Sequence, residues 1–509
     1  MVDFQPYLFL FFICIISTIL LWARFFKSIG AKSQHPPTPF GLPIIGHLHL
    51  LNPNPHQAFH KLSLRYGPIF RVFMGSVPCV VTCSPEIAKE FLKTNEEAFS
   101  DRPRNPSLDY ITYGSKDFLF APHGPYWKFM RKIVTLQLLN AKTLDLLSSV
   151  RHDEINRFIK SLSVNANIGK AVDLSGEFVK LTNNVISRML LSKRCTEKDG
   201  EADEVGQIIA DIVYTGSSFN LSDYIWLFKA LDLQGLGRKV KDTLLRFDLV
   251  IEKIMKEHDE ERKHNVTGEV VKDLLDILLD IQQDESSEIN LTRENIKAFV
   301  QNIIVAGTDT SASTLDWALA ELINHPNIMK KAAKEIHQVV GKDRLVQESD
   351  IPNLPYLQAI VKETFRLHPT VPMIPRKSSQ DCTVAGYHIP ANTNTFINVW
   401  ALNRDHNHWE NPHEFRPERF EENILDVRGQ HFHLMPFGSG RRMCPGISLA
   451  QHIVHTTLGA MIQCFEWKAG KDGNLSSVEM EEGTGLTLPR ANRLVCVPVA
   501  RLDPMPFSM

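Results

Sequence analysis

Phe437-Gly438-Ser439-Gly440-Arg441-Arg442-Met443-Cys444-Pro445-Gly446 sets one cysteine in a short loop shaped by glycines and preceded by paired arginines. Gly438, Gly440 and Gly446 remove side chains where the backbone must bend closely around something flat, and Phe437 is placed to shield the sulfur from water. Pro445 stands where the first residue of a helix is favoured, and the apolar run from Ile447 to Trp467 reads as a long buried helix. Its N-terminus would face the sulfur, where free N–H groups and the positive dipole end favour a thiolate. Arg442 carries a planar fork suited to a carboxylate. Taken alone, Cys-Pro-Gly is far more often a buried structural thiol in a glycine turn. No second cysteine lies close enough in sequence to suggest zinc or an iron–sulfur cluster.

The wider spacing decides between these readings. Phe-x-x-Gly-x-Arg-x-Cys-x-Gly resembles the signature of the cytochrome P450 superfamily, and every fixed position is matched. The resemblance implies haem b held by Cys444 as axial ligand to the iron, with Phe437, Arg442 and Gly446 against the cofactor. A thiolate ligand pushes electron density onto the iron and favours O–O cleavage. Further motifs follow in the family's order. Trp127 and Arg131, four residues apart and so on one helical face, resemble a pair that contacts a haem propionate, and Arg376 resembles another such contact. Glu363 and Arg366 resemble the Glu-x-x-Arg pair that locks with an arginine of a Pro-Glu-Arg-Phe segment, here Arg419. That trio is structural, because a carboxylate between two guanidinium groups offsets charges otherwise costly to bury.

Ala306-Gly307-Thr308-Asp309-Thr310 resembles the oxygen-binding motif of the family's long central helix. Gly307 followed by Thr308 has low helical propensity, so a local distortion making room for dioxygen is expected there. Asp309 and Thr310 are the candidate catalytic residues, one supplying an acid and the other a hydrogen bond to oxygen. An isolated Thr more commonly turns its hydroxyl back to a helix carbonyl.

The fold class implied is mainly α with small β-sheets, a single catalytic domain behind an N-terminal transmembrane anchor. Three segments are expected: the anchor at 1–23, a basic and proline-rich hinge at 24–45, and a haem-thiolate monooxygenase domain at 46–509. Tyr7 to Ala23 is almost wholly apolar and about long enough to span a bilayer. Arg24, Lys27 and Lys32 follow it, which leaves the catalytic domain cytosolic and suggests a single-pass anchor in the endoplasmic reticulum membrane. Pro36 to Pro43 reads as a stiff spacer. A net charge of −2 gives no case for nucleic acid, and the eight cysteines have no framework spacing.

Helical patterning marks Phe247 to Lys263, Ile328 to Val340 closed by Gly341, and Leu357 to Leu367. Strand-like stretches are Ile69 to Met74, Pro78 to Cys83, Val384 to Ile389 and Val495 to Val499. Leu42 to Leu48, Gly75 to Val81, Tyr113 to Pro122, Asp232 to Gly235 and Asp426 to Gln430 resemble the plant microsomal group containing dihydroxypterocarpan hydroxylase, flavone synthase, isoflavone synthase and beta-amyrin hydroxylase. That resemblance implies an NADPH-dependent monooxygenase of specialised metabolism, fed by NADPH-cytochrome P450 reductase, that hydroxylates or desaturates a lipophilic flavonoid or isoflavonoid such as a pterocarpan or flavanone. Oxidation of a pentacyclic triterpene such as beta-amyrin is the alternative, and a non-catalytic haem carrier or sensor a remote one. By position, Val305, Val371, Ile374 and Leu486 would line an apolar substrate pocket. Lys128 and Lys132 are candidates for the reductase face, or plain solvated lysines.

Overall fold

The computed structural model describes residues 34–194, 200–228, 231–264, 272–422, 425–485 and 487–506, together with residue 17. Tyr7 to Ala23, apart from Ser17, and Leu486 therefore lie outside the described residues. Among the described residues no helix is long and apolar enough to cross a membrane. The longer helices, in chain order, are α1 (Pro55–Tyr66), α2 (Pro125–Ile133), α3 (Ser148–Asn167), α4 (Leu174–Leu191), α5 (Gly200–Ser217), α6 (Leu236–His264), α7 (Leu274–Gln283), α8 (Arg293–Asn324), α9 (Pro326–Val340), α10 (Pro355–Leu367) and α11 (Ile447–Cys464). The strands are β1 (Ile69–Met74), β2 (Val77–Thr82), β3 (Val172–Asp173), β4 (Ile374–Lys377), β5 (Cys382–Val384), β6 (Tyr387–Ile389), β7 (Asn394–Ile397), β8 (Phe465–Ala469) and β9 (Val495–Ala500). The chain is mainly helical with small sheets, and it groups into two compact units.

The smaller unit takes in the described parts of Met1–Pro103, Asn220–Gln234 and Met373–Leu402. Its four-stranded sheet runs β1-β2-β7-β4, with β2 and β7 parallel and the other pairs antiparallel. The two-residue loop Gly75-Ser76 closes the β1–β2 hairpin, with Gly75 at φ 60°. Phe59 of α1 packs with Phe70, Val72, Cys79 and Val81 in the unit's own apolar core. The proline-rich stretch is tied down along much of its length. The Pro37 carbonyl accepts from Arg71 N–H at 2.8 Å, and Pro39 O lies 2.9 Å from buried His47 Nε2. Val384 to Ile389 is not one strand but the hairpin β5–β6, because Ala385 and Gly386 both take positive φ.

The larger unit comprises the described parts of Arg104–Phe219, Gly235–Pro372 and Asn403–Met509. Its axis is α8, started by a reciprocal cap in which Thr292 Oγ1 accepts from Asn295 N–H at 3.2 Å and Asn295 Oδ1 accepts from Thr292 N–H at 2.9 Å. α8 is buried along most of its length, polar positions included, and it packs on α4, α10 and α11. α11 ends at Cys464, three residues short of Trp467, because Phe465 to Ala469 pairs as β8 with β9. Of the other segments legible in sequence, Ile328 to Val340 begins two residues earlier at Pro326, and Gly341 at φ 81° ends it. Phe247 to Lys263 is the latter part of α6, which starts at Leu236.

Candidate active site

The cysteine loop is held by its own backbone. Cys444 N–H donates to Phe437 O at 2.9 Å, Met443 N–H to Gly440 O at 3.0 Å, and Gly438 N–H to Met435 O at 3.0 Å. Gly438 and Gly440 sit at φ 74° and 71°, where a side chain would be strained. Gly446 is different: its φ is −87° and it is the N-cap of α11. Pro445 therefore precedes the helix instead of opening it, and the first helical residue is Ile447. A Cβ on Gly446 would stand 3.8 Å from Cys444 Sγ, so the sulfur lies beside the uncapped N-terminus of α11. Phe437 meets Phe365 of α10 edge to face at 5.0 Å, giving the sulfur an apolar neighbour on one side.

The loop also leans on a residue that motif reading passed over. A Cβ on Gly429, at φ 71°, would fall 2.4 Å from Gly438 O, and Ser439 Oγ donates to Gly429 O at 2.6 Å. The Asp426 to Gln430 stretch, known from the sequence only by its group likeness, forms the seat of the cysteine loop.

Two cations come to this place from opposite ends of the chain. Arg442, buried, stacks its guanidinium 4.3 Å over the Trp127 ring and donates to Ala121 O at 2.5 Å and Leu119 O at 3.4 Å. Trp127 is itself fixed by its indole N–H on Phe118 O at 3.0 Å. Arg131, one turn on from Trp127 in α2, is half-buried. Burial pulls its pKa down, and the Cys444 charge partly restores it. Among the described residues no carboxylate pairs with Arg131. The expected trio also forms. Glu363 accepts from Arg366 Nε at 2.7 Å, Arg366 Nη2 at 2.8 Å and Arg419 Nε at 2.9 Å, with all three side chains buried. Trp409 lies under both guanidinium groups, at 5.2 and 5.9 Å.

In the middle of α8 the burial breaks. Residues Asn295 to Ile304 and Ser311 to Leu322 are buried, yet Ala306 is exposed and Val305, Gly307, Asp309 and Thr310 are only partly buried. The helix itself does not break: α8 runs unbroken through Gly307, contrary to the expected distortion. Gly307 instead makes room for α4, since a Cβ there would fall 2.7 Å from Ile186 Cδ1. Thr310 Oγ1 donates back to Ala306 O at 2.7 Å. Asp309 does not pair with Thr310. Its Oδ2 accepts from the hydroxyl of Thr487, a residue without a motif to announce it. Burial raises the Asp309 pKa, and the Thr487 hydrogen bond opposes the rise.

Of the remaining expected residues, Val371 in the larger unit is half-buried, and Val305 packs against that unit's core. Ile374 and Arg376 belong to β4 in the smaller unit, both buried, with Arg376 opposite Thr395 and donating to Pro375 O at 2.9 Å. Lys128 is exposed. Lys132 is paired with Glu288 at 2.6 Å, both more than half exposed, a pair worth little in water.

These residues suit a flat, anionic cofactor with a thiolate ligand. A half-buried Arg131 with no carboxylate partner among the described residues, stacked Arg442, a thiol at an uncapped helix N-terminus and an accessible turn in a buried helix are each understandable if haem is seated there. Arg131 and Arg442 are the groups suited to its carboxylates and Cys444 to its iron, whereas the one indole N–H of Trp127, expected to meet a propionate, is given to Phe118 O.

Comparison with known proteins agrees. The cytochrome P450 family matches residues 36–497. The chain is 54% identical to cytochrome P450 93A3 of Glycine max over 97% of this chain and 98% of the relative. It is 52% identical to 3,9-dihydroxypterocarpan 6A-monooxygenase of the same plant, with the same coverage. A zebrafish cytochrome P450, in a structure with progesterone, superposes on 88% of this chain and all of its own, with a TM-score of 0.74 and 27% identity.

Proposed function

The chain belongs to the cytochrome P450 family and is a haem-dependent monooxygenase; we propose that it hydroxylates or desaturates a flavonoid or isoflavonoid such as a pterocarpan or flavanone in plant specialised metabolism. The observation that carries the proposal is the likeness over nearly the whole chain to a pterocarpan monooxygenase, joined to a site whose accessible α8 stretch offers Val305 and Ala306 beside two polar groups. Electrons would come from NADPH through a separate reductase. The Tyr7 to Ala23 segment would anchor the protein in the endoplasmic reticulum membrane with the catalytic domain in the cytosol.

Bound haem supplies the activation of dioxygen and the oxidising equivalent. The remaining work falls to the chain. Cys444 is the ligand, and its negative charge is favoured by the α11 N-terminus and by Arg131. Phe437 and Phe365 keep water from the sulfur. Arg131 and Arg442 bind carboxylates, the latter with its plane held by Trp127. Asp309 holds a proton more firmly than an ordinary carboxyl because it is buried, while Thr487 orients its Oδ2. Thr310, whose own proton points to Ala306 O, keeps its oxygen lone pairs for a donor on the accessible face. Val371 and Leu486 would contribute apolar lining.

The test is product analysis by mass spectrometry with membranes holding the protein and a plant reductase. NADPH is added with a pterocarpan, a flavanone or beta-amyrin in parallel. An NADPH-dependent oxygenated or desaturated phenolic product is the expected result. Product from beta-amyrin alone would move the enzyme to triterpene oxidation.

A further inference from the structure

On the accessible side of α8, one turn before Ala306, stands Asn302. Its side chain is more than nine-tenths buried, and its Oδ1 has no hydrogen-bond partner. No described residue donates to or accepts from this amide. Helical spacing puts Asn302, Ala306 and Asp309 at i, i+4 and i+7, so the three share one face. Phe299, one turn earlier on that face, packs against Phe118 with ring centroids 5.0 Å apart. Thr487 bonds to Asp309 at the far end. The amide thus sits between an aromatic pair and the accessible turn.

A buried carboxamide oxygen with nothing to accept from is costly, of the order of the desolvation of one polar group. Native interiors rarely leave such a group unpaired. Gln301 also lacks partners for both amide atoms, but it is turned about 100° away, on the side of Thr308. Asn302 is the one aimed along the face that carries Ala306 and Asp309.

We infer that Asn302 is a specificity residue, its carboxamide pairing with a hydroxyl of the polycyclic substrate and so fixing which edge of the ring system lies near Ala306 and Thr310. This rests on the monooxygenase reading but not on the flavonoid choice, since a phenol and a ring alcohol offer the same group. Apolar walls alone distinguish ring systems weakly, whereas a site built to hydrogen-bond a hydroxyl rejects the analogue that lacks it.

The experiment uses the full-length holoprotein in membranes. Equilibrium dissociation constants are measured for the wild type, Asn302→Leu and Asn302→Ala against two matched pairs of ligands. One pair is 3,9-dihydroxypterocarpan and unsubstituted pterocarpan, and the other is beta-amyrin and its 3-deoxy hydrocarbon. The reduced, CO-bound spectrum of each variant reports whether the haem site is intact. On whichever skeleton the wild type binds, loss of the hydroxyl should weaken binding about ten-fold or more. Both variants should weaken the hydroxylated ligand by a similar factor and leave the deoxy ligand within about two-fold. A hydroxyl preference that survives both variants overturns the inference, and so does equal weakening of both members of a pair. The skeleton preferred by the wild type judges the flavonoid reading separately.

Discussion

Glu363→Gln tests whether the buried trio behind the cysteine loop holds the larger unit together. Glu363 accepts four hydrogen bonds: two from Arg366, one from Arg419 Nε, and one from the Arg416 backbone N–H at 2.8 Å. Arg366 and Arg419 also donate to the backbone carbonyls of Asn403, Pro412 and Glu410 at 2.7 to 3.0 Å. Removing the single negative charge leaves two guanidinium groups buried without a counter-charge, and the new amide N–H₂ faces donors. Breaking a buried pair in this way costs about 3–5 kcal/mol. At roughly 1 °C per kcal/mol for a chain this long, the melting temperature should fall by about 3–5 °C. The assay is thermal unfolding of the purified holoprotein at one fixed scan rate, because unfolding of a chain this size is commonly irreversible. Glu288→Gln, which removes the exposed partner of Lys132, is the control and should cost less than about 1 kcal/mol. A Glu363→Gln protein that melts within about 2 °C of wild type, or no lower than the control, would refute the reasoning.

Gly307→Ala should clash with Ile186 and cost about 1–2 kcal/mol, while in an Ile186→Ala background the same change should stabilise α8 by up to about 1 kcal/mol. Denaturant titration of the four proteins reads that coupling, and additivity would count against the contact. Burial alone would raise the Glu321 pKa, but hydrogen bonds from His325 and His368 hold it at about 2. A depressed carboxyl contributes stability above its unfolded value near 4.5 that is lost as pH falls toward 2. The melting-temperature gap between wild type and Glu321→Gln should therefore narrow from pH 5 to pH 3, and a constant gap would contradict this. Thr487→Val removes the hydrogen bond opposing burial at Asp309, so the Asp309 ionisation in the pH profile of turnover should move to higher pH. Asp309→Asn should abolish that limb, and an unmoved profile in Thr487→Val would assign the ionisation elsewhere.

Sequence alone determined the features that depend on residue type and short spacing. A cysteine among Gly438, Gly440 and Gly446, a Glu-x-x-Arg three residues apart, and Trp127 one turn from Arg131 are local patterns, and local patterns are legible because helix and turn geometry repeat wherever the residues allow it. The strand Ile69 to Met74 and the end of α9 at Gly341 were legible for the same reason.

What only the tertiary structure decided depends on contacts across long stretches of chain. Gly307 looked like a weak point in a helix. Packed against Ile186, about 120 residues away in sequence, it is a point of close approach, and α8 stays whole. Pro445 looked like the first residue of α11, but the turn that seats Cys444 delays the helix to Ile447. Asp309 and Thr310 are adjacent in sequence yet have different partners, because successive helical residues point about 100° apart. Asp309 meets Thr487 and Thr310 meets its own helix. Gly429 and Thr487 take their parts in the site from where the chain returns to the cysteine loop and to α8. Motif reading names groups that act through their own chemistry, whereas the fold chooses their neighbours, and through burial and hydrogen bonding those neighbours set each group's charge and direction.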